Sequence, residues 1–431
     1  MTCVKSGYVV LIMIGAVAGS FAAARTFGKE PSRASTLKVK VQGPFVISDQ
    51  QRHPGWVHFH AHMCRLPSGR LILTIGKERD IIDQERFLLT SDDHGRTWVD
   101  SDTGVWPTAR FPGFGSSHWA SVNLNDGTIL NYLNMAFTTD ENGVYQVPMW
   151  VSEDGGMTWG PMQAASVEVP GLRNADFYNP SEAWRKKYGD YIKHGFVKPE
   201  PPASMRELFD RFGTERGWFS WEQIVKLPEG HLLGFLTVNY DGRLSDVMAV
   251  ESQDRGQTWK YLSMVARFDP KYLDRTITEE PDGFCEPSAL RFPDGELLVV
   301  MRMGSLHPLY AVRSRDDGRT WTQPQALPSR SVQPKLVLLQ NGVLALGTGR
   351  PRELVTFSLD RGHTWPETVY LPDDGAEGAH CSANSYTLEV EPNKLLTVYC
   401  CYNHDEEGAD AWLKSHGHGR ALGCFIEVER K

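Results

Sequence analysis

Short apolar runs broken by turn signals dominate the pattern of hydrophobic and polar positions. Typical runs are 70–75 (RLILTI) and 296–301 (ELLVVM), each directly after a four-residue hairpin signal. Those signals are LPSG at 66–69, LNDG at 124–127, LPEG at 227–230, FPDG at 292–295 and LQNG at 339–342. Apolar or alternating runs around a glycine-containing turn predict β-hairpins with half-buried strands. Downstream of the hairpins an octapeptide, S-x-D-x-G-x-T-W, recurs at 91–98, 152–159, 252–259, 314–321 and 358–365. Its Asp can accept turn amides, its Gly can take a positive φ, and its Trp can pack on a sheet.

Repetition on this scale predicts repeated supersecondary units. Each unit reads as strand, hairpin, strand, then a further strand and the octapeptide turn. A sixth unit, from 382 to 399 and onward, has Pro392-Asn393 in the hairpin place and no octapeptide. The expected fold is therefore all-β: a six-bladed β-propeller of four-stranded antiparallel blades spanning 37–431. The strand-like stretches 37–47 and 424–428 are expected to pair and latch the ring. Residues 167–218 break the rhythm with two helical stretches, 181–193 and 204–212, around the PEPP break at 199–202. They read as an insertion, either a lid over the site or a surface decoration.

Composition narrows the class. Among 431 residues, 40 Gly, 26 Pro and 13 Trp favour a turn-rich β protein. A net charge of −8 without any run of Lys or Arg argues against a nucleic-acid partner. At the N-terminus, Lys5 precedes the apolar run 8–17, and Ala22-Ala23-Ala24 offers a cleavage site. This predicts a signal peptide over 1–24, a secreted or periplasmic mature chain, and no membrane association after cleavage. Export permits disulfides among Cys64, Cys285, Cys381, Cys400, Cys401 and Cys424, and Cys424 with Cys400 or Cys401 would bridge neighbouring strands. No cysteine spacing matches a zinc site, and no cofactor is called for.

Antiparallel pairing sets residues equidistant from a hairpin side by side. Nine positions before the hairpin glycines stand His60, His118, Trp221, Glu286 and Gln333, with Asn384 or Ser385 in the sixth unit. Seven to ten positions after them stand Arg79, Arg302 and Arg350. These residues are expected to ring one mouth of the central channel, opposite the octapeptide turns. Polar, ionisable and aromatic side chains converging there suit sugar binding. Glu286 carries most weight, because a carboxylate starting an inner strand is costly unless paired. Alternation would put His58, His60 and His62 on one strand face; without carboxylate or Cys partners at ligand spacing, hydrogen bonding and packing explain them better than a metal.

The octapeptide is the Asp-box, and its five copies resemble the sialidase (neuraminidase) superfamily over nearly the whole mature chain. In that family three arginines grip the sugar's carboxylate, a Tyr–Glu pair supplies the nucleophile, and an Asp is acid/base. Glu286 followed sixteen residues later by Arg302 (CEPSALRFPDGELLVVMR) resembles the family's Glu and second arginine. Arg350, in GTGRP, resembles the third. Asp83, in KERDIIDQ, lies near the acid/base place, with Asp80 competing, and Tyr386 lies near the nucleophile place, with Asn384 in register. The first arginine is absent: His60 stands there, and Arg65 is out of register.

The resemblance implies a secreted, retaining exo-glycosidase acting on a terminal, acidic sugar of a glycan. Glu286, Tyr386 and Asp83 would be catalytic; Arg302, Arg350, His60, Arg79, His118, Trp221 and Gln333 would bind substrate. Two alternatives stay open. One is a hydrolase or lyase of another sugar using His60 or His118; the other is a carbohydrate-binding propeller without turnover.

Overall fold

The computed structural model describes residues 37–54, 58–76, 87–111, 120–134, 136–138, 143–172, 174–175, 203–213, 216–217, 219–239, 244–349, 352–372, 379–380, 385–403 and 419–431. The expected signal segment, the 181–193 helix, Arg79, Asp80, Asp83, His118, Arg350, Cys381 and Asn384 lie outside the described residues, as does the side chain of His60.

The chain is all-β, built from antiparallel meanders in sequence order. Three are separate four-stranded sheets. One runs Phe59–Arg65, Leu71–Gly76, Phe87–Ser91, Val99–Ser101. Another runs Cys285–Arg291, Leu297–Arg302, Pro308–Ser314, Gln325–Arg330. A third runs Lys335–Leu338, Leu344–Thr348, Leu354–Ser358, Glu367–Tyr370. Two further meanders, beginning at Ser121–Asn123 and Phe219–Lys226, join where their outer strands pair in parallel at Ser166–Thr258 and Val167–Trp259.

The final meander, Tyr386–Glu391, Lys394–Asn403 and Arg420–Arg430, is completed by the first strand of the chain, Leu37–Ser48. The register runs antiparallel from Leu37 opposite Arg430 to Ser48 opposite Ala421. This is the expected latch.

The central strands of the sheets are buried on both faces, which explains why they read as apolar runs rather than strict alternation. Leu71, Leu73 and Ile75 pack with Val390, Leu396 and Val398 of the last meander, whereas Ile72 packs with Leu88, Trp106 and Ile129 on the other side. Leu297, Val299 and Met301 face Phe235 and Ala249, while Leu298 and Val300 face Leu336, Leu344 and Leu346. Each such fully buried side chain contributes about 1.5–3 kcal/mol of transfer free energy.

The octapeptide turns share one hydrogen-bond set. The Ser Oγ accepts from the Gly amide and donates to the Asp Oδ1, and the Thr hydroxyl donates to the Asp Oδ2 at 2.6 Å in all five. The glycine is required at Gly95: its φ is +88°, and an added Cβ would lie 2.3 Å from a Leu396 methyl.

The helix Ala203–Phe212 matches the expected 204–212 stretch and packs Met205 and Leu208 against Phe111, Leu133, Phe137 and Trp150. The cysteine expectation needs correction. Cys401 is disulfide-bonded, but Cys424 is a free thiol. Cys424 stands opposite Thr397, while Cys400 and Cys401 stand opposite Ala421 and Arg420. A three-residue offset, roughly 10 Å along the strand, exceeds disulfide reach.

Candidate active site

The innermost strands do not enter their sheets smoothly. Register shifts fall between Phe59 and His62, between Trp221 and Gln223, and between Cys285 and Ser288. Glu286 and Gln333 adopt positive φ, +49° and +46°. Such bulges and left-handed residues re-aim side chains at a sheet end and concentrate at functional sites.

Glu286 is the centre. It is the second residue of Cys285–Arg291, and Cys285 pairs with Arg302 at the end of the neighbouring strand. Arg302 Nη1 donates to Glu286 Oε1 at 2.8 Å, and the backbone N–H of Gln333 donates to Oε2 at 2.9 Å. Arg302 Nη2 donates to Asp282 at 2.7 Å and to Ser305 at 3.4 Å. Burial works to lower the Arg302 pKa, but the charge of Glu286, with Cys285 and Asp282, raises it above the usual arginine value.

A second carboxylate lies one sheet away. Glu222, 5% exposed, accepts from Ser220 at 2.7 Å and from Thr237 at 3.0 Å. Thr237 Oγ1 also accepts the backbone N–H of Glu286 at 3.1 Å, so one hydroxyl links the two glutamates. Burial, reinforced by the charge of Glu286, pushes the Glu222 carboxyl up to about 8, against hydrogen bonding from Ser220 and Thr237 and the charge of Lys335.

Lys335 opens the inner strand of the next sheet. Its ammonium lies 4.9 Å from the centroid of the Tyr386 ring. Burial lowers it to about 8 while the charges of Glu222 and Glu286 act to raise it. Tyr386 in turn meets the buried His62 edge-on, with ring centroids 6.0 Å apart. Burial raises the Tyr386 phenol, and Cys64 adds to that. Five inner strands thus contribute one arc of side chains: His62, Tyr386, Lys335, Glu286 and Glu222.

The structure brings Glu286, Arg302, Gln333 and Tyr386 to this end of the molecule. Among the described residues, no hydrogen bond joins the Tyr386 hydroxyl to Glu286. The Gln333 carboxamide is buried, and among the described residues neither its oxygen nor its nitrogen has a hydrogen-bond partner. Trp221 needs correction: it is fully buried in the core, stacked on Tyr132 at 5.3 Å and edge-on to Trp259 at 4.9 Å. The register shift after Trp221 turns the next residue, Glu222, toward the site instead.

The bulges at Trp221–Gln223 and Phe59–His62 explain why counting nine positions back missed Glu222 and His62, whereas Lys335, also missed, pairs smoothly opposite Gly347. These residues lie eight, seven and seven positions before their hairpin glycines. The readable signal was an ionisable residue within, or opening, an inner strand: Glu222 and His62 are fourth in theirs and Lys335 is first. The histidine expectation also changes. His58 has φ +60° and lies before the shift; its Nε2 is 2.6 Å from Ser48 Oγ, which is 2.5 Å from His53 Nδ1. His62 faces Tyr386, so His58 and His62 do not share one environment. Among the described residues, no group of three or more His, Cys, Asp or Glu side chains could hold a metal.

The antiparallel meanders thus bring carboxylates and cations together at one end of the molecule. Residues 224–389 match the BNR repeat-like domain family, and the chain shares its fold with a solved microbial sialidase. A protein of unknown function from Dyadobacter fermentans superposes with a TM-score of 0.57 at 16% identity, covering 91% of this chain and 99% of that one. The Hadza microbial sialidase Hz136 superposes at 0.53 and 14% identity, covering 90% and 68%. An α-L-arabinanase from Penicillium chrysogenum gives 0.49 and 15% identity, covering 89% and 98%. No curated protein sequence matches the chain.

Proposed function

We propose that this chain is a retaining exo-glycosidase on a six-bladed propeller, cutting a terminal sugar from a glycan. The observation that carries the reading is the pairing of Glu222 with Glu286 through Thr237, in two different electrostatic settings. Glu286 accepts hydrogen bonds from Arg302 and the Gln333 amide, which favour the carboxylate. Glu222, pushed up to about 8, carries a proton at neutral pH. Carboxyl groups driven apart in this way take opposite roles in glycoside hydrolysis.

In the first step a Glu286 carboxylate oxygen bonds to the anomeric carbon as the glycosidic C–O bond breaks. Glu222 gives its proton to the departing oxygen. In the second step water attacks the anomeric carbon, its proton passes to Glu222, and the Glu286–sugar bond breaks. The raised phenol of Tyr386 and its contacts with His62 and Lys335 favour a wall and support over a phenolate nucleophile. We read 1–24 as an export signal, which places the substrate outside the cytoplasm.

An acidic sugar would meet the cations Lys335 and Arg302. A second reading, a neutral sugar, is favoured by Arg302 itself, whose charge already faces both Glu286 and Asp282. The test is a panel of fluorogenic α- and β-glycosides, including sialosides, uronides and arabinofuranosides. Release from a sialoside or uronide supports the acidic reading, and release from neutral glycosides alone supports the second. No release from any glycoside by folded protein contradicts both.

A further inference from the structure

We infer that Thr237 is a positioning residue: its hydroxyl, held by the Glu286 amide, turns Glu222 so that Oε1 is a fixed acceptor and Oε2 is the oxygen that carries the proton. The inference deepens the glycosidase reading and rests on it for its catalytic meaning. The placement is built into two paired strands. Thr237 stands directly opposite Ser220 where Phe219–Lys226 pairs with Leu232–Val238, and Glu222 is the extra residue of the bulge between Trp221 and Gln223. Both hydroxyls reach the same carboxyl oxygen: Ser220 Oγ lies 2.7 Å and Thr237 Oγ1 3.0 Å from Glu222 Oε1. Thr237 Oγ1 also accepts the Glu286 N–H, 3.1 Å away in the neighbouring sheet.

These contacts fix the direction of each hydrogen bond. Thr237 is buried, and among the described residues Glu222 Oε1 is the one acceptor its hydroxyl reaches; a buried donor left unused is costly. The hydroxyl therefore donates to Glu222 while its own oxygen answers Glu286. Glu222 Oε1 then receives two donors, which occupy both lone pairs of a carbonyl oxygen. In the protonated carboxyl the hydrogen accordingly sits on Oε2. Among the described residues no ion pair reaches the buried Glu222, and burial outweighs the charge of Lys335 to keep it protonated at neutral pH. A carboxyl pinned at Oε1 presents Oε2 to the departing oxygen in the first step and to water in the second, in one place throughout. The same hydroxyl ties that place to the Glu286 backbone, so acid and nucleophile keep their spacing.

The experiment is infrared difference spectroscopy of the carboxyl C=O stretch, which rises in frequency when a hydrogen bond to the carbonyl oxygen is lost. It is run at about pH 6, where ordinary carboxyls are ionised and Glu222 keeps its proton. The band lost in Glu222→Gln is that of Glu222. It is expected to move to higher frequency in Thr237→Val, which keeps the shape and removes the hydroxyl, and to hold its wild-type place in Thr237→Ser. Ser220→Ala removes the other donor without touching the Glu286 amide, and the same upward shift is expected. A band unmoved in Thr237→Val overturns the inference, as does the absence of any band lost in Glu222→Gln. Should Thr237→Val fold poorly, a band unmoved in Ser220→Ala overturns it instead, because Oε1 would not be the carbonyl oxygen. Shifted bands with no glycoside cleaved by wild type keep the orientation and remove the glycosidase reading; cleavage with unmoved bands removes the inference alone. With a substrate in hand, kcat on a poor leaving group should fall about tenfold to a hundredfold in Thr237→Val, with KM little changed and Thr237→Ser restoring the rate.

Discussion

Arg302 Nη1 stands 2.8 Å from Glu286 Oε1, and strand pairing of Cys285 with Arg302 builds this contact into the sheet end. Both side chains are largely shielded, at 15% and 20% exposure. Removing one partner leaves the other charge shielded and unanswered, which costs about 3–5 kcal/mol at the buried limit. Arg302→Met should therefore lower the melting temperature and activity together, and Arg302→Lys should recover part of the stability. Melting curves and kcat/KM check this; an Arg302→Met protein as stable as wild type contradicts it.

The pH dependence follows from the direction of two shifts. Glu222 is raised to about 8, so its acid form is present below that pH and lost as pH rises through it. Lys335 is lowered to about 8, so its charge disappears over the same window. Activity should hold through neutrality and fall on the alkaline side near pH 8, with apparent values belonging to the pair. A profile still rising above pH 9 (about one unit past that window) contradicts the assignment of Glu222 as the acid.

Gln333 separates structure from function. Its backbone N–H holds Glu286, but its buried carboxamide makes no hydrogen bond among the described residues. Replacing unsatisfied buried polar atoms by apolar ones of similar size is neutral or stabilising, by about 1 kcal/mol. Gln333→Leu should match or exceed wild type in thermal stability while keeping the Glu286 clamp. A clear loss of stability would show that the carboxamide supports the fold.

The end of the first strand, where it pairs with the last, offers a test away from the site. Ser48 Oγ bridges His53 and His58 at 2.5 and 2.6 Å, and His53 Nε2 lies 3.2 Å from Asp100. All three bridged residues are buried. Ser48→Ala removes the hydroxyl that both imidazoles share, and losing those two buried hydrogen bonds costs about 1–3 kcal/mol. Denaturant unfolding should show that loss with catalysis at low temperature unchanged.

The fold was legible because its signals are local and repeated. Turn glycines, the Asp and Thr of each octapeptide, and apolar runs between hairpins need only neighbouring residues to be read. The latch was legible too, from two strand-like ends. The site was legible only in part. Glu286 and Arg302 stand within one residue of register across a hairpin, so counting finds them. Glu222 and His62 are delivered by register shifts that no spacing rule carries, and Trp221 shows the cost: one residue of slip exchanges a core indole for a site carboxylate. The Cys424 pairing failed for the same reason, since strand neighbours three residues out of register cannot bond.

The central claim is that Glu286 and Glu222 act as unlike halves of one catalytic pair. The most direct measurement is kcat/KM of wild type, Glu286→Gln and Glu222→Gln on one cleaved glycoside bearing either a good or a poor leaving group. Glu286→Gln should lose about 10²–10⁴-fold or more with both, whereas Glu222→Gln should lose as much with the poor leaving group and far less with the good one, which needs no proton. Equal losses for both leaving groups in Glu222→Gln, or near-normal turnover in Glu286→Gln, would contradict the account.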